Sequence, residues 1–130
     1  MSRLAYADSS ALVKLVVQEP ESSAIYRWFI ESDRVVTSRV GVIETVRASG
    51  RYPFEEAHRA HLLDLLEVVE LTPEIAGRAG DIQPALLRTL DAVHLATALA
   101  IGTDLDAFVT YDDRLAAAAR AIGLPVIRPA

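Results

Sequence analysis

Short apolar runs alternate with helical patterns along the whole chain. The segments between the runs place apolar residues at every third or fourth position, which is typical of a helix with one face packed on a core. Strands that alternate with helices predict a mainly parallel sheet with helices on both of its faces. We therefore expect one α/β domain over residues 1–130, a sandwich built on a short sheet. The predicted strands lie at 4–7, 34–37, 68–71 and 107–110, with a short edge strand at 125–127.

Several predicted helices begin with a capping signal. Thr72 followed by Pro73 is an N-cap with proline at the first helical position. Ser38 stands in the corresponding place before a helix that ends near residue 50. Asp8 comes directly after the first strand and before the first helix, so its carboxylate lies where the two elements meet. A helix predicted at 54–67 is amphipathic, and its expected apolar stripe consists of Ala57, His61, Leu62, Leu65 and Leu66.

The segment at 89–102 is apolar nearly all round its predicted helix. Such a helix is normally buried, so Asp91 near its start would be drawn inward with it. Taken alone, Asp91 is explained as a charge in the first helical turn, which stabilises a helix by about 0.3–1 kcal/mol. His94, one turn further on, is explained first as a core histidine, although it could also contact a site built around Asp91.

Four acidic residues stand where a parallel sheet would bring them together. Ligands of open parallel sheets bind beyond the carboxyl ends of the strands. Asp8 follows the first strand, and Asp112 follows the fourth. Asp91 begins the buried helix, and Glu44 lies in the helix after the second strand, from where its side chain could reach the same edge. The alternative for Glu44 is a surface ion pair with Arg47, which would contribute roughly a few tenths of a kcal/mol.

Such a group of carboxylates needs a compensating charge. Two carboxylates roughly 4 Å apart repel by about 4 kcal/mol at an effective dielectric constant near 20. Without a partner, some would take up a proton or turn away. A hard divalent cation removes the repulsion, and all-oxygen ligation selects Mg²⁺ or Mn²⁺ over zinc. Each acid alone has an ordinary explanation, but together they indicate metal-dependent hydrolysis of a phosphodiester.

Composition narrows the functional classes. The net charge of -5 argues against binding nucleic acid by long-range charge alone, although an acidic metal site is compatible with an acidic chain. The chain has no cysteine, which excludes disulfides and thiolate metal sites and fits a reducing compartment. No run reaches the roughly 20 apolar residues that span a membrane, and we see no secretion signal. We therefore expect a cytoplasmic protein with no membrane partner.

Four sequence motifs resemble those of a known family. They are DSSALVKL at 8–15, Glu44 after TSRVGVI, LDAVHLATAL at 90–99, and FVTYDDRLAAAA at 108–119. Together they resemble the PIN-domain ribonucleases, and among these the VapC-type toxins of bacterial and archaeal toxin–antitoxin pairs. The resemblance covers essentially the whole chain, so it implies a PIN-like sandwich over residues 1–130.

The resemblance also implies a role for each matching residue. Mg²⁺, or Mn²⁺ in its place, would be held by Asp8, Asp91 and Asp112. Ser9 and Thr110 would hydrogen-bond the carboxylates and orient them. The implied partners are an RNA substrate, a cognate antitoxin protein and a second copy of the chain in a homodimer. The catalytic set would consist of Asp8, Glu44, Asp91 and Asp112.

Some residue roles stay open in the sequence. Asp112 and Asp113 are adjacent, and either could point inward. Arg114 could bind substrate or pair with Asp113, and Lys14 could contact a phosphate or be a solvated helix residue. Two other functions also stay open, namely a housekeeping RNA-processing PIN nuclease and a catalytically silent module whose acidic pocket receives a partner's arginine.

The apolar content points to a partner surface. Apolar residues make up 52% of the chain, more than a small monomer needs to fill its core. We therefore expect a groove that receives an amphipathic helix of another chain, with Trp28 as a candidate lining residue.

Overall fold

In a computed structural model, which describes residues 3–130, five parallel strands form one sheet with helices on both faces. A 3₁₀ turn at Gly102–Asp104 follows the helix that ends at Ile101. The strands are β1 (Leu4–Ala7), β2 (Arg34–Ser38), β3 (Glu67–Val69), β4 (Ala107–Val109) and β5 (Val126–Ile127). The helices are α1 (Ser9–Val16), α2 (Ser22–Glu31), α3 (Arg39–Ser49), α4 (Glu56–Leu65), α5 (Pro73–Asp81), α6 (Thr89–Ile101) and α7 (Asp113–Ala121).

Strand β1 lies at the centre of the sheet, whose order is β3-β2-β1-β4-β5. Successive side chains of a strand point to opposite faces, so β1 contributes to two cores. Ala5 and Ala7 pack with residues of α1, α2 and α4, whereas Leu4 and Tyr6 pack with residues of α6 and α7. All four residues are buried. A strand buried on both faces appears in the sequence as a continuous apolar run, which is why this one was predicted correctly.

The parallel connections bring three helix starts to one edge of the sheet. Asp8 follows β1 and is the N-cap of α1, Ser38 ends β2 and caps α3, and Asp112 follows β4 and caps α7. The side chain of each accepts a backbone N–H of the helix that it begins. We call this side of the sheet the carboxyl edge.

The predicted α/β fold class is confirmed, and the element bounds differ from the predicted ones by only one or two residues. The short edge strand near the end of the chain is present as β5 and is parallel to β4. The prediction of a buried helix is also confirmed, because residues Ala92 to Ala98 of α6 are all buried. None of the helices within residues 3–130 is long and apolar enough to cross a membrane.

The apolar stripe predicted for α4 is wrong at three of its positions. Ala57, His61 and Leu65 are exposed, and only Leu62 and Leu66 are buried. Helix α4 lies at the margin of the domain, beside the edge strand β3, and it contacts the core mainly along α1. One row of side chains, spaced i and i+4, is therefore enough to cover that contact.

The tightest backbone approach near the carboxyl edge is at Gly41, in the first turn of α3. A Cβ at this position would lie 2.3 Å from Thr37 Oγ1 and 3.2 Å from His94 Cε1. Both neighbours are buried, so neither can move away freely. We expect Gly41→Ala to lower the free energy of unfolding by about 1–3 kcal/mol, measured by urea denaturation.

Gly77→Ala in α5 is the matched control, because no atom outside its own helix lies within 4 Å of the added methyl group. Alanine restricts the unfolded chain more than glycine does, so this variant should gain about 0.5–1 kcal/mol. Equal effects of the two substitutions would contradict the packing around Gly41.

Candidate active site at the carboxyl edge of the sheet

Asp8 is a buried carboxylate held by three hydrogen bonds, with 3% of its surface exposed. Its Oδ1 accepts from Ser10 Oγ at 2.7 Å and from the Ala11 N–H at 3.0 Å, and its Oδ2 accepts from Thr110 Oγ1 at 2.6 Å. Burial raises the pKa of Asp8, while the bonds from Thr110 and Ser10 and the nearby His94 oppose that rise. Asp8 is therefore fixed in one orientation.

The hydroxyl beside Asp8 belongs to Ser10 and not to Ser9, which corrects one sequence-based expectation. Ser10 Oγ also accepts the Tyr111 N–H at 2.8 Å and lies 3.3 Å from Thr110 Oγ1. Ser9 and Ser10 are the first two residues of α1, and successive helical side chains are turned by roughly 100°. Only Ser10 therefore faces the end of β4. The contact expected between Thr110 and an acidic residue is present.

Asp112 joins the end of β4 to the first turn of α7. Its Oδ1 accepts the Arg114 N–H at 2.9 Å and the Leu115 N–H at 3.0 Å. Its own N–H donates to Thr110 Oγ1 at 3.1 Å, and the same hydroxyl donates to Asp8. A single threonine thus connects two of the predicted site acids.

Asp113 lies away from these acids. Its side chain is 88% exposed and forms an ion pair with Arg128, with Nη1 and Oδ1 2.8 Å apart. The pairing considered between Asp113 and Arg114 is therefore replaced by one with Arg128. Lys14 is partly buried, and its Nζ lies 3.0 Å from Glu21 Oε2. Asp112 is thus the acid of the DD pair that stays beside the site.

Asp91 lies half-buried in the first turn of α6. Burial raises the pKa of Asp91, and the charges of Asp112 and Glu44 raise it further. The charges of His94 and Arg88 act in the opposite direction. Carboxylates carried by three different helices, α3, α6 and α7, therefore act on one another at the carboxyl edge.

Glu44 binds a histidine on the neighbouring helix α6. Its Oε1 lies 2.6 Å from His94 Nε2, and His94 Nδ1 lies 2.6 Å from the hydroxyl of Tyr6. His94 is 1% exposed, and the side chain of Glu44 is 25% exposed. The surface pair considered between Glu44 and Arg47 is not formed within the described part of the chain. His94 is a core residue that also contacts a predicted site acid. The only sign of this contact in the sequence is that His94 lies one helical turn from Asp91.

The donor set of the four acids consists of oxygen atoms alone. Within residues 3–130, no three His, Cys, Asp or Glu side chains converge closely enough to hold a metal ion as they stand. The repulsion that raises the pKa of Asp91 is nevertheless the kind that a divalent cation relieves. All-oxygen donors suit Mg²⁺ or Mn²⁺, so the chemistry of these residues fits such an ion.

Residues 5–121 match the family model of the PIN domain. The chain belongs to the PIN-domain family. It is 40% identical to Ribonuclease VapC47 of Mycobacterium tuberculosis over 130 aligned positions, which cover 95% of this chain and 96% of that protein. It is 42% identical to Ribonuclease VapC46 of the same species over 127 positions, with the same two coverages. The resemblance to VapC-type PIN domains is confirmed.

Solved structures share the fold at lower sequence identity. The crystal structure of Mycobacterium tuberculosis VapC20, described as a toxin that cleaves the sarcin–ricin loop, superposes with a TM-score of 0.75 at 18% identity. The superposition covers 97% of this chain and 99% of the VapC20 chain. A toxin–antitoxin complex from Klebsiella pneumoniae has a TM-score of 0.72 at 23% identity, covering 97% and 98%. The PIN-like fold is therefore present over nearly the whole chain.

The raised pKa of Asp91 predicts how stability changes with pH in the absence of metal. Its folded pKa lies above the ordinary value of 3.8, so the native state binds this proton more tightly than the unfolded state does. The free energy of unfolding should therefore fall as pH rises from the ordinary pKa of 3.8 through the higher pKa of the folded state. It should stay lower at every pH above that. Asp91→Asn removes the charge, so in EDTA the variant should melt a few degrees higher than wild type at about pH 7.5.

The difference in melting temperature should shrink as pH falls below about 4, because wild-type Asp91 is protonated in both states only below its ordinary pKa. Scanning fluorimetry over this range measures it. Asp113→Asn is the control, because that carboxylate is exposed and should leave the pH profile unchanged. A gap between Asp91→Asn and wild type that does not depend on pH would contradict the repulsion.

Proposed function

We propose that this chain is a divalent-metal-dependent endoribonuclease, the toxin of a type II toxin–antitoxin pair. Its active site would consist of Asp8, Glu44, Asp91 and Asp112. The observation that carries the proposal is the surroundings of Asp91, whose pKa is raised first by burial and then by the charges of Asp112 and Glu44, at the edge where Asp8 is buried. Crowded carboxylates destabilise a fold unless a cation joins them.

The relatives support RNA as the substrate. Two proteins that align with 95% of this chain at 40% and 42% identity carry the name ribonuclease VapC. Identity at this level over nearly the full length supports a shared reaction as well as a shared fold. It also supports the toxin role over that of a housekeeping RNA-processing nuclease.

The cation would be held by Asp8, Asp91 and Asp112, with Mg²⁺ as the expected ion and Mn²⁺ as a substitute. When bound, it supplies Lewis acidity, which lowers the pKa of water and neutralises charge on the phosphate. Ser10 and Thr110 keep the carboxylate of Asp8 in one orientation through their hydrogen bonds.

The chain's own residues then direct the reaction. Glu44 accepts a hydrogen bond from the attacking water and takes its proton as the water oxygen bonds to phosphorus. The bond from phosphorus to the 3′-oxygen of the preceding nucleotide breaks, and that oxygen takes up a proton. The products are a 5′-phosphate and a 3′-hydroxyl.

Replacing the site acids tests the nuclease proposal. We expect Asp8→Asn and Asp91→Asn each to lower RNA cleavage by about 100-fold or more, because each removes a charge that would hold the cation. Asparagine also suits an N-cap, so α1 should keep its start and both variants should melt cooperatively. A fluorogenic RNA assay with Mg²⁺ or Mn²⁺, together with circular dichroism, measures both effects.

Asp113→Asn serves as the adjacent control and should cleave RNA as wild type does, because its side chain is exposed and paired with Arg128. Full activity of wild type in EDTA, together with retained cleavage in both site variants, would rule out the proposed nuclease. The silent acidic-pocket module would be the better description if purified wild type cleaved no RNA with either metal ion. Arrest of growth on expression without a partner distinguishes the toxin from a housekeeping nuclease.

An open groove supports the proposed antitoxin partner. It has a volume of about 720 Å³ and lies between α1, α2 and the segment that leads into α4. Its lining is partly apolar and partly polar, and the apolar part of its floor suits one face of an amphipathic helix. A basic residue beyond that helix could reach the carboxyl edge and replace the cation there. The groove is lined in part by Lys14, Leu15, Val17, Tyr26, Phe54 and His58.

The residue for testing this groove is Tyr26 and not Trp28. Trp28 is partly buried against the core and does not line the groove, whereas Tyr26 is 53% exposed within it. We expect the product of the adjacent upstream reading frame to co-purify with wild type and to inhibit its RNase activity. Tyr26→Asp should abolish capture, because it places a charge on the apolar floor.

Tyr52→Asp is the matched control, since Tyr52 is 54% exposed and lies outside this groove. It should co-purify with the partner as wild type does. Equal capture of both aspartate variants would show that the partner binds elsewhere.

A homodimer remains an expectation from the family resemblance. Large apolar side chains that are about half-exposed support it, because such surface favours association. They lie on or beside α3, β3 and α6 and include Ile43, Leu71 and Leu90.

A further inference from the structure

A line of three hydrogen-bonding side chains, two buried and one partly buried, runs from the centre of the sheet to the site. The hydroxyl of Tyr6, on β1, lies 2.6 Å from His94 Nδ1. The opposite ring nitrogen, Nε2, lies 2.6 Å from Glu44 Oε1. Tyr6 and His94 are 0% and 1% exposed, so water does not compete for these bonds.

The chemistry of the end groups assigns the hydrogens along this line. A carboxylate only accepts hydrogen bonds, so His94 Nε2 carries a hydrogen and donates it to Glu44. Burial strongly raises the pKa of Tyr6, so its hydroxyl keeps its hydrogen. In the neutral imidazole, Nδ1 is an acceptor, and that hydroxyl donates to it. The direction of the bonds is therefore from Tyr6 through His94 to Glu44.

Packing prevents the imidazole from turning. The ring of Tyr6 stacks on Phe108 with centroids 5.2 Å apart, and it meets the ring of His94 edge-on at 5.7 Å. On another side, His94 Cε1 would lie 3.2 Å from a Cβ at Gly41, a position that has room only for hydrogen. Because the imidazole of His94 cannot turn, it holds the carboxylate of Glu44 in one place.

We propose that His94 and Tyr6 are positioning residues for Glu44, an inference that rests on the proposed nuclease function. His94 holds Oε1 inward, which leaves Oε2 free to accept the hydrogen bond of the attacking water. Glu44 lies in α3 and its side chain is only partly buried, so without this bond its rotamer would be free to turn toward solvent. The other three acids lie at element junctions or in a first helical turn, but Glu44 lies in the middle of its helix.

A purely structural role for His94 makes different predictions. A core histidine needs partners for its two nitrogens, but any acceptor or donor of the interior would serve. Here one partner is a predicted catalytic carboxylate that lies 50 positions away in the sequence. If the role is positioning, the turnover number should fall while substrate binding and stability change little.

Tyr6→Phe is the first test, because it removes one hydroxyl and keeps the stacked ring. We expect kcat for a fluorogenic RNA to fall by about 10- to 100-fold, with KM within about twofold of wild type. Thr97→Val is the matched control, since it also removes a buried hydroxyl from the interior, but one that bonds only to the Val93 carbonyl within α6. Its kcat should equal that of wild type.

Two substitutions of His94 test the donor itself. His94→Gln offers an amide N–H near the former Nε2, whereas His94→Leu offers none. We expect His94→Gln to retain more of the wild-type kcat than His94→Leu at comparable melting temperatures. Equal loss in both would overturn the donor role of Nε2.

A measurement on metal-free protein is independent of activity. In ¹⁵N-labelled wild type at neutral pH, NMR should show a directly bonded hydrogen on His94 Nε2, and the signal of Nδ1 should move in Tyr6→Phe. A ring with its only hydrogen on Nδ1 would overturn the inference even if a His94 variant failed to fold. Wild type without RNase activity would refute the proposed function, whereas active wild type with Tyr6→Phe equal to Thr97→Val would refute only the positioning role.

Discussion

Repulsion among carboxylates brought to one edge of a parallel sheet is the constraint on which this structure depends. The parallel connections start successive helices from the carboxyl edge, and acids occupy or adjoin several of those starts. Burial raises the pKa of Asp91, and the neighbouring charges of Asp112 and Glu44 raise it further. A fold can tolerate such repulsion only with compensating hydrogen bonds or a cation, and the surrounding residues follow from that need.

Asp8 and Asp112 are helix caps as well as predicted site acids. Each caps a helix through its side chain, so backbone N–H groups stabilise two of the carboxylates at the carboxyl edge. Thr110 connects the two acids through one hydroxyl. The helix starts therefore hold these two acids in place through hydrogen bonds of the chain itself. This explains how a buried acid such as Asp8 is kept where its charge is unfavourable.

Glu44 is held in a different way, because it does not cap its helix. Its partner His94 comes from α6 and rests on Tyr6 of the central strand. The apolar character of α6 thus has a structural consequence beyond burial, since it carries a polar residue into the core beneath the site. The absence of a side chain at Gly41 lets α3 and α6 approach closely enough for this contact.

Local patterns in the sequence determined the strands, the buried helix and the caps, because each depends on residues only a few positions apart. The motifs also identified the family and predicted the four site acids. Tertiary structure alone decided that Ser10 and not Ser9 meets Asp8, and that Glu44 pairs with His94. These contacts depend on how separate helices are rotated and packed, and a turn of one residue places a different side chain at the site. Periodicity fixes which positions share a face, but only the packed sheet fixes what that face contacts.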